Sequence, residues 1–230
     1  MATEAPADTS LSAEQVFDAI GPAYEAAFEG LPEQAASVKW LLSQLEAAGT
    51  KPAKTVDIGC GTGKPVCSAL AGAGHDVLGI DISSAMIAAA RERVPAAKFE
   101  QMDIRNFSPP DSSFDAATVY FSMIASVTQE EIREFIARIY RFLKPGGLFV
   151  FATVPFPADN LQTKWMGRPV SGSSLGPEEA VEWIKTVGFR IEHEAISKFM
   201  PKGAEAGICK PEDVWEETHL FVYAKKPVSL

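Results

Sequence analysis

The chain has 230 residues, 47% of them hydrophobic, and a formal net charge of −9. This length favours one larger domain, and the composition is that of a folded globular protein, which excludes a disordered or collagen-like chain. Phosphate contacts require clustered Lys and Arg side chains, so the negative charge argues against nucleic acid as a partner.

The cysteines and the N-terminal residues bear on the compartment. Cys60, Cys67 and Cys209 are odd in number and widely spaced, which predicts neither a disulfide framework nor a zinc site. Residues 1–10 lack the basic start and apolar run of a signal peptide, and no apolar stretch approaches ~18 residues. We expect a cytoplasmic monomer or homodimer without bound metal or membrane insertion.

Two helices are predicted before the first strand. Ser12 and Gln15 have the spacing of a capping box, and Gly21-Pro22 should break or kink the helix that they begin. Pro32 suits the first turn of a second helix, which ends near Gly49. We predict a helical lid over residues 1–50 and a larger domain over residues 51–230.

After residue 53 the pattern alternates between short apolar runs and helical stripes. The predicted strands are 55–58, 75–82, 97–102, 114–121, 148–154, 189–199 and 219–225, and the intervening helices are 65–73, 84–94, a helix from Thr128 to before Lys144, and 177–187. This alternation predicts an α/β fold with a parallel sheet wrapped by helices. Residues 155–176 are predicted to be a loop or lid, and residues 200–218 connect the last two strands.

Residues 56–63, Val-Asp-Ile-Gly-Cys-Gly-Thr-Gly, join the first strand to a helix. Glycines there let the backbone turn sharply and approach a ligand. A dinucleotide motif beginning at Gly59 requires a third glycine where Lys64 stands. A phosphate-binding P-loop ending in Gly63-Lys64 requires Ser or Thr where Pro65 stands. Both alternatives therefore fail on specific residues.

The remaining pattern, D-x-G-x-G-x-G, resembles motif I of the class I S-adenosylmethionine-dependent methyltransferases. Its residues are Asp57, Gly59, Gly61 and Gly63. Two strand-end acids, Asp81 and Asp103, a Phe-Asp pair at 114–115 and a Leu-Lys-Pro-Gly-Gly turn at 143–147 also match the family. The resemblance is to the ubiquinone/menaquinone-methyltransferase-like branch. It implies a Rossmann-like sheet of seven strands in the order 3-2-1-4-5-7-6, with strand 7 antiparallel.

The resemblance implies S-adenosylmethionine as cofactor and S-adenosylhomocysteine as product. It places Asp81 on the ribose hydroxyls, Ile82 on the adenine, and Asp103 at the adenine edge. Tyr120 would lie near the sulfonium, and Tyr24 would close over the cofactor. The candidate cofactor-binding residues are Tyr24, Asp57, Gly59, Cys60, Gly61, Gly63, Asp81, Ile82, Met86, Asp103, Ile104 and Tyr120. Structural roles stay open for the Asp57 carboxylate, the Cys60 thiol and the Tyr24 ring.

The acceptor is predicted to be a small apolar or aromatic molecule. The fourth strand ends in Tyr-Phe-Ser-Met at 120–123, which lacks the [DN]-P-P-[YF] tetrad of nucleic-acid amino-methyltransferases. Segments 155–176 and 200–218 are expected around the acceptor. The candidate substrate-binding residues are Phe17, Phe121, Met123, Phe156, Trp165 and Trp215, each of which is equally compatible with the core. The sequence identifies no general base, and His75, His193 and His219 are interpreted as structural.

Two other functions remain open at this point. One is a methyltransferase-like protein that binds the cofactor without methylating, as a rearrangement catalyst or regulator. The other is an NAD(P)-dependent oxidoreductase on a Rossmann sheet.

Overall fold

The computed structural model describes residues 10–228; the prediction for residues 1–9 lies outside them. The helices are α1 (Ala13–Ile20), α2 (Ala23–Ala27), α3 (Pro32–Ala47), α4 (Val66–Gly72), α5 (Ser84–Arg93), α6 (Gln129–Phe142) and α7 (Pro177–Val187). The strands are β1 (Lys54–Ile58), β2 (Asp76–Asp81), β3 (Lys98–Gln101), β4 (Phe114–Tyr120), β5 (Leu143–Thr153), β6 (Ala158–Trp165), β7 (Arg168–Ser174), β8 (Arg190–Phe199) and β9 (Glu217–Lys225). Short 3₁₀ turns cover Ile104–Asn106 and Pro211–Asp213.

Seven of the strands form one sheet in the order β3-β2-β1-β4-β5-β9-β8. The five strands from β3 to β5 are parallel, and β9 is antiparallel to both of its neighbours. Counted along this sheet alone, the order is 3-2-1-4-5-7-6, which confirms the predicted fold. The chain changes direction across the sheet between β1 and β4, and ligands of such sheets bind at the carboxyl ends of the strands beside this point.

Alternate residues of the central strands pack on opposite faces of the sheet. Val150 and Ala152 of β5 belong to the core cluster that includes α1, α3, α4 and α5. Phe149 and Phe151 belong to the cluster beneath α6 and α7. This period of two follows from the pleat of the strand, and it explains why the buried strands are almost continuously apolar in sequence.

The segment 155–176 is not a loop: it contains the β6–β7 hairpin, which corrects the prediction. Trp165 pairs with Arg168 across a two-residue turn, in which Met166 has φ +47° and Gly167 has φ +75°. A type I′ turn needs a positive φ at both positions, and Met is an unusual residue at the first. The side chains of β6 are mostly exposed, so no apolar alternation marks the strand in the sequence. Strand β5 also begins five residues before its predicted start.

The N-terminal helices cover the carboxyl ends of β1, β2 and β4. Both hydrogen bonds of the Ser12–Gln15 capping box are present, and α1 ends at Gly21, where φ is +56°. Pro32 occupies the first turn of α3, as predicted. The Leu11 amide donates to the Pro169 carbonyl at 2.9 Å, so this segment also contacts the hairpin.

Candidate active site

The glycine loop leaves β1 at the carboxyl edge of the sheet. Gly59 has φ +72°, and a Cβ there would lie 2.0 Å from Cβ of Ser122, the second residue after β4. Gly61 has φ +52°, and a Cβ there would meet no atom within 4 Å. Gly59 is therefore required by packing, whereas Gly61 borders open space in which a ligand can approach the backbone.

Asp81, the last residue of β2, connects to this loop. Its Oδ2 accepts a hydrogen bond from the Gly61 amide at 2.9 Å, and its Oδ1 accepts one from the Ser83 amide at 2.9 Å. Burial raises the pKa of this carboxyl, although the two amide donors oppose the rise. A carboxylate oxygen has room for a second donor, so Asp81 can still accept hydrogen bonds from a ligand hydroxyl.

The first cavity lies beside Asp81, between the ends of β2 and β4. Nine of the predicted cofactor residues line it: Tyr24, Gly59, Gly61, Asp81, Ile82, Met86, Asp103, Ile104 and Tyr120. The Asp103 carboxylate accepts the Arg105 amide hydrogen bond at 2.9 Å, which caps the turn at Ile104–Asn106. The surface combines apolar side chains with two carboxylates, as a purine nucleoside requires.

A second cavity lies between α3 and the glycine loop, and Asp57 and Cys60 are among its lining residues. Asp57 is 3% exposed; its Oδ1 accepts from the Thr118 hydroxyl at 2.6 Å, and its Oδ2 accepts from the Cys67 thiol at 3.4 Å. Burial raises the pKa of Asp57 to about 6. Gly63 lines neither of these cavities, nor the third one near the hairpin. A Cβ at Gly63 would lie 3.0 Å from the Phe99 ring.

Tyr24 and Tyr120 lie between the cavities. The Tyr24 ring stacks on Phe28 at 4.5 Å, and its pKa is raised by burial and by the charges of Glu217 and Asp81. The Tyr120 hydroxyl is 2.7 Å from Oγ of the buried Ser37. Burial also raises the pKa of Tyr120, so both phenols are neutral hydrogen-bonding groups.

The third cavity, of about 290 Å³, lies between α1, the hairpin and the start of β9. Five of the predicted substrate-binding residues line it: Phe17, Phe121, Phe156, Trp165 and Trp215. Met123 does not. It is 2% exposed and packs in the core cluster beneath α6 and α7, because the chain turns after Phe121, whose φ is +56°.

Glu217 also lines the third cavity, although it was not among the predicted site residues. Its Oε1 accepts from the Trp165 indole N–H at 2.9 Å, and its Oε2 is 3.0 Å from Nε2 of His219. Glu217 and His219 are both buried. Their i, i+2 spacing on a strand was the available signal, but strand β9 was predicted to begin only at residue 219.

Comparisons with known proteins agree with this geometry. Residues 55–147 match the family model for a methyltransferase domain. The chain is 30% identical over 192 residues to the ubiquinone/menaquinone biosynthesis C-methyltransferase UbiE of Methylobacterium nodulans, which covers 78% of this chain and 72% of that protein. This chain belongs to the class I S-adenosylmethionine-dependent methyltransferases.

Two further relatives define the extent of the similarity. The demethylmenaquinone methyltransferase of Paenarthrobacter aurescens is 30% identical over 158 residues, 66% of this chain and 60% of that protein. The crystal structure of the [4+2]-cyclase SpnF has a TM-score of 0.62 and 20% identity, and covers 96% of this chain and 98% of that one. The latter similarity supports the fold alone. The methyltransferase spans about half the length of another of its curated relatives.

The residues present fit the family's cofactor, S-adenosylmethionine. Gly61 leaves room that a side chain would fill, Asp81 offers unused lone pairs, and Ile82 and Met86 provide apolar surface in the same cavity. Within residues 10–228, no cluster of three His, Cys, Asp or Glu side chains could hold a metal ion. Nor does any helix in this range have the length and apolar character needed to cross a bilayer.

Proposed function

We propose that this methyltransferase binds S-adenosylmethionine across the first and second cavities and methylates a small apolar or aromatic molecule in the third. The observation that carries the proposal is that Tyr24 and Phe121 line all three cavities. These two side chains mark the place where the cavities meet, so the reacting centres of cofactor and acceptor would come together beside them.

The chain's residues would divide the binding between them. Asp81 accepts hydrogen bonds from the ribose hydroxyls, Ile82 and Met86 pack on the adenine, and Asp103 accepts a hydrogen bond from its amino group. The glycine loop approaches the methionine portion through its backbone. A bound cofactor supplies an activated sulfonium methyl group, and the chain's task is to orient the acceptor and exclude water.

Apolar surface supports a small-molecule acceptor. The third cavity is lined by aromatic rings, among which the Phe17 and Trp165 centroids are 5.9 Å apart. Such a lining binds flat apolar molecules by dispersion and by loss of water, and a few polar groups then set their orientation. The net charge of −9 also disfavours a nucleic-acid acceptor.

The test begins with calorimetric titration of S-adenosylhomocysteine into the purified protein, followed by methyl transfer from labelled cofactor to a panel of aromatic hydroxyl, thiol and amine compounds. We expect binding, and label in at least one product. Tight NADPH binding without S-adenosylhomocysteine binding would contradict the proposal and favour a nucleotide-dependent oxidoreductase.

A second candidate function is rearrangement without methyl transfer. The similarity in fold to the protein named as a [4+2]-cyclase, over nearly all of both chains, favours keeping it. An apolar cavity beside a bound sulfonium cation could promote such a reaction by electrostatics alone. Label that stays in the cofactor while the acceptor isomerises would support this candidate.

A further inference from the structure

Glu217 is a carboxylate at the wall of an otherwise largely apolar cavity. It is 7% exposed, and its two oxygens accept from the Trp165 indole and from His219. The other charged side chain that lines the third cavity is Lys164, which is exposed and forms no ion pair with Glu217 in the described part of the chain. Both oxygens of Glu217 therefore face N–H groups of buried or half-buried rings.

His219 lies two residues along the same strand and is 1% exposed. Its ring centroid is 4.5 Å from that of Phe121 and 6.1 Å from that of Phe199. Because Nε2 faces a carboxylate, the neutral ring carries its proton there, which leaves Nδ1 as an acceptor. Nδ1 is buried and has no hydrogen-bond partner among residues 10–228. A buried acceptor of this kind is rare, and it requires an explanation.

With a carboxylate and a neutral imidazole, the pair carries one negative charge among aromatic rings. Uptake of a proton by the Glu217 carboxylate removes this charge, and the His219 Nε2–H remains a hydrogen-bond donor to the resulting carboxyl group. Besides Glu217, the ionisable side chains that line this cavity are Tyr24 and Lys164. Tyr24 is neutral and Lys164 reaches solvent, so the Glu217–His219 pair is the best-placed proton acceptor at this wall.

We propose that the Glu217–His219 pair binds and deprotonates the hydroxyl group of an aromatic acceptor, which makes the protein an O-methyltransferase of phenols or enols. This inference rests on the proposed function and adds the acceptor atom to it. Glu217 contacts the acceptor, and His219 acts through it, while Trp165 holds the carboxylate in place.

The step balances within the groups named. The O–H proton passes to the Glu217 carboxylate as an oxygen lone pair forms the O–CH₃ bond. The S–CH₃ bond breaks, and its electrons remain on sulfur, which gives the uncharged thioether of S-adenosylhomocysteine. The Glu217 carboxyl group then releases the proton to water when the products leave.

A hydroxyl is the acceptor that gains most from such a pair. A thiol ionises readily near neutral pH and needs little help. An aromatic amine is uncharged near neutral pH and attacks through its nitrogen lone pair, so no proton has to leave before the bond forms. A phenol stays protonated and weakly nucleophilic until a base removes its proton.

The experiment compares 2-naphthol, 2-naphthalenethiol and 2-naphthylamine as acceptors, which differ only in the atom that would be methylated. We expect the wild type to methylate 2-naphthol, and the loss of rate on removal of the base to be largest for this acceptor. His219→Asn and Glu217→Gln should each lower kcat on 2-naphthol by about 100-fold, the scale of general-base catalysis, and change S-adenosylhomocysteine affinity by less than about threefold. That affinity also reports whether each variant folds.

Two nearby residues provide matched controls. Glu216 is exposed and pairs with Lys198, and His193 is exposed on β8. Glu216→Gln and His193→Asn should leave turnover unchanged. A second measurement uses 4-nitrophenol, which is far more acidic than 2-naphthol. A lost base matters less for this acceptor, so the deficits of the His219 and Glu217 variants should shrink, whereas a merely structural defect would lower both rates equally.

Equal deficits on both phenols would overturn the proposal. So would deficits on the thiol or the amine as large as the deficit on 2-naphthol, or no transfer to 2-naphthol by a protein that binds S-adenosylhomocysteine. Failure to bind S-adenosylhomocysteine would instead contradict the proposed function itself. If His219→Asn does not fold, Trp165→Phe, which removes one donor to Glu217 and keeps an aromatic ring, should show the same acidity-dependent deficit.

Discussion

Asp18 of α1 accepts hydrogen bonds from the Ser83 hydroxyl at 2.6 Å and from the Ala85 amide at 3.1 Å. Ser83 also donates its amide to Asp81 and caps α5. These hydrogen bonds connect α1 to the segment that follows Asp81, the proposed acceptor for the ribose hydroxyls. Glu25 of α2 makes a second connection to the sheet domain. It accepts a hydrogen bond from the Thr62 hydroxyl at 2.9 Å and forms an ion pair with Arg93.

Asp18→Ala should loosen this contact. We expect faster amide hydrogen exchange over residues 13–20 and about tenfold weaker S-adenosylhomocysteine binding, since one or two charge-assisted hydrogen bonds contribute about 1.5–3 kcal/mol. Exchange measured by mass spectrometry with and without S-adenosylhomocysteine tests this. Glu14→Ala, an exposed acid on the same helix, is the control. Unchanged exchange in the Asp18 variant would show that the contact does not hold the helix.

Asp81→Ala should weaken S-adenosylhomocysteine binding by about 100-fold or more, because it removes the proposed ribose acceptor and releases the Gly61 and Ser83 amides. Calorimetric titration measures the change. Asp76→Asn, at the exposed start of the same strand, should bind normally. Wild-type affinity in the Asp81 variant is the result that removes the ribose assignment.

Glycine substitutions should separate packing from ligand contact. Gly59→Ala places a Cβ 2.0 Å from Ser122 Cβ, so we expect a large fall in thermal stability. Gly61→Ala meets no protein atom, and should cost about 1–2 kcal/mol for its left-handed conformation while sharply weakening cofactor binding.

Gly207→Ala controls for backbone strain in this comparison, because Gly207 has φ +73°, borders open space and lines none of the three cavities. It should lose about as much stability as Gly61→Ala and bind the cofactor normally. Normal binding by Gly61→Ala would mean that the cofactor does not approach that position.

The contribution of Asp57 to the free energy of unfolding should fall as the pH rises from the acid range towards neutrality. Its pKa is about 6 in the folded state against 3.8 for an aspartate in water, so the folded protein binds more protons than the unfolded chain between these pH values. This contribution is fully present below the unfolded pKa and is lost as pH rises through 6. Between pH 5 and pH 8 the loss is on the order of 1 kcal/mol. It should be absent in Asp57→Asn.

Urea unfolding measures the free energy of unfolding of the wild type and of Asp57→Asn at pH 5 and pH 8. The other carboxyl groups are the same in both proteins, so the difference between the two pH dependences reports Asp57. Asp76→Asn, at an exposed position, should keep the wild-type dependence. The same pH dependence in the wild type and Asp57→Asn would show that burial does not perturb this carboxyl.

The capping boxes, the glycine loop, the strand-end acids and the sheet order were all predictable from the sequence. Each depends on residues close together in the chain or on a motif that a family shares. Ser12 and Gln15 form their reciprocal bonds within one helical turn, and Asp81 ends its strand because the apolar run ends there. Local periodicity and local hydrogen bonding are sufficient to specify such features.

Other features depended on contacts between distant segments. Strand β6 is mostly exposed and shows no apolar alternation, and it exists because it pairs with β7 across the unusual Met166-Gly167 turn. Met123 and Phe121 are equally apolar in sequence, yet the backbone at Phe121 sends one to the core and leaves the other at the cavities. Trp165 reaches Glu217 only because the hairpin folds against β9, over a separation of 52 residues. The sequence alone determined the fold and the glycine loop, whereas the tertiary structure decided which side chains line the third cavity, because burial and pairing there depend on packing between elements that no local pattern records.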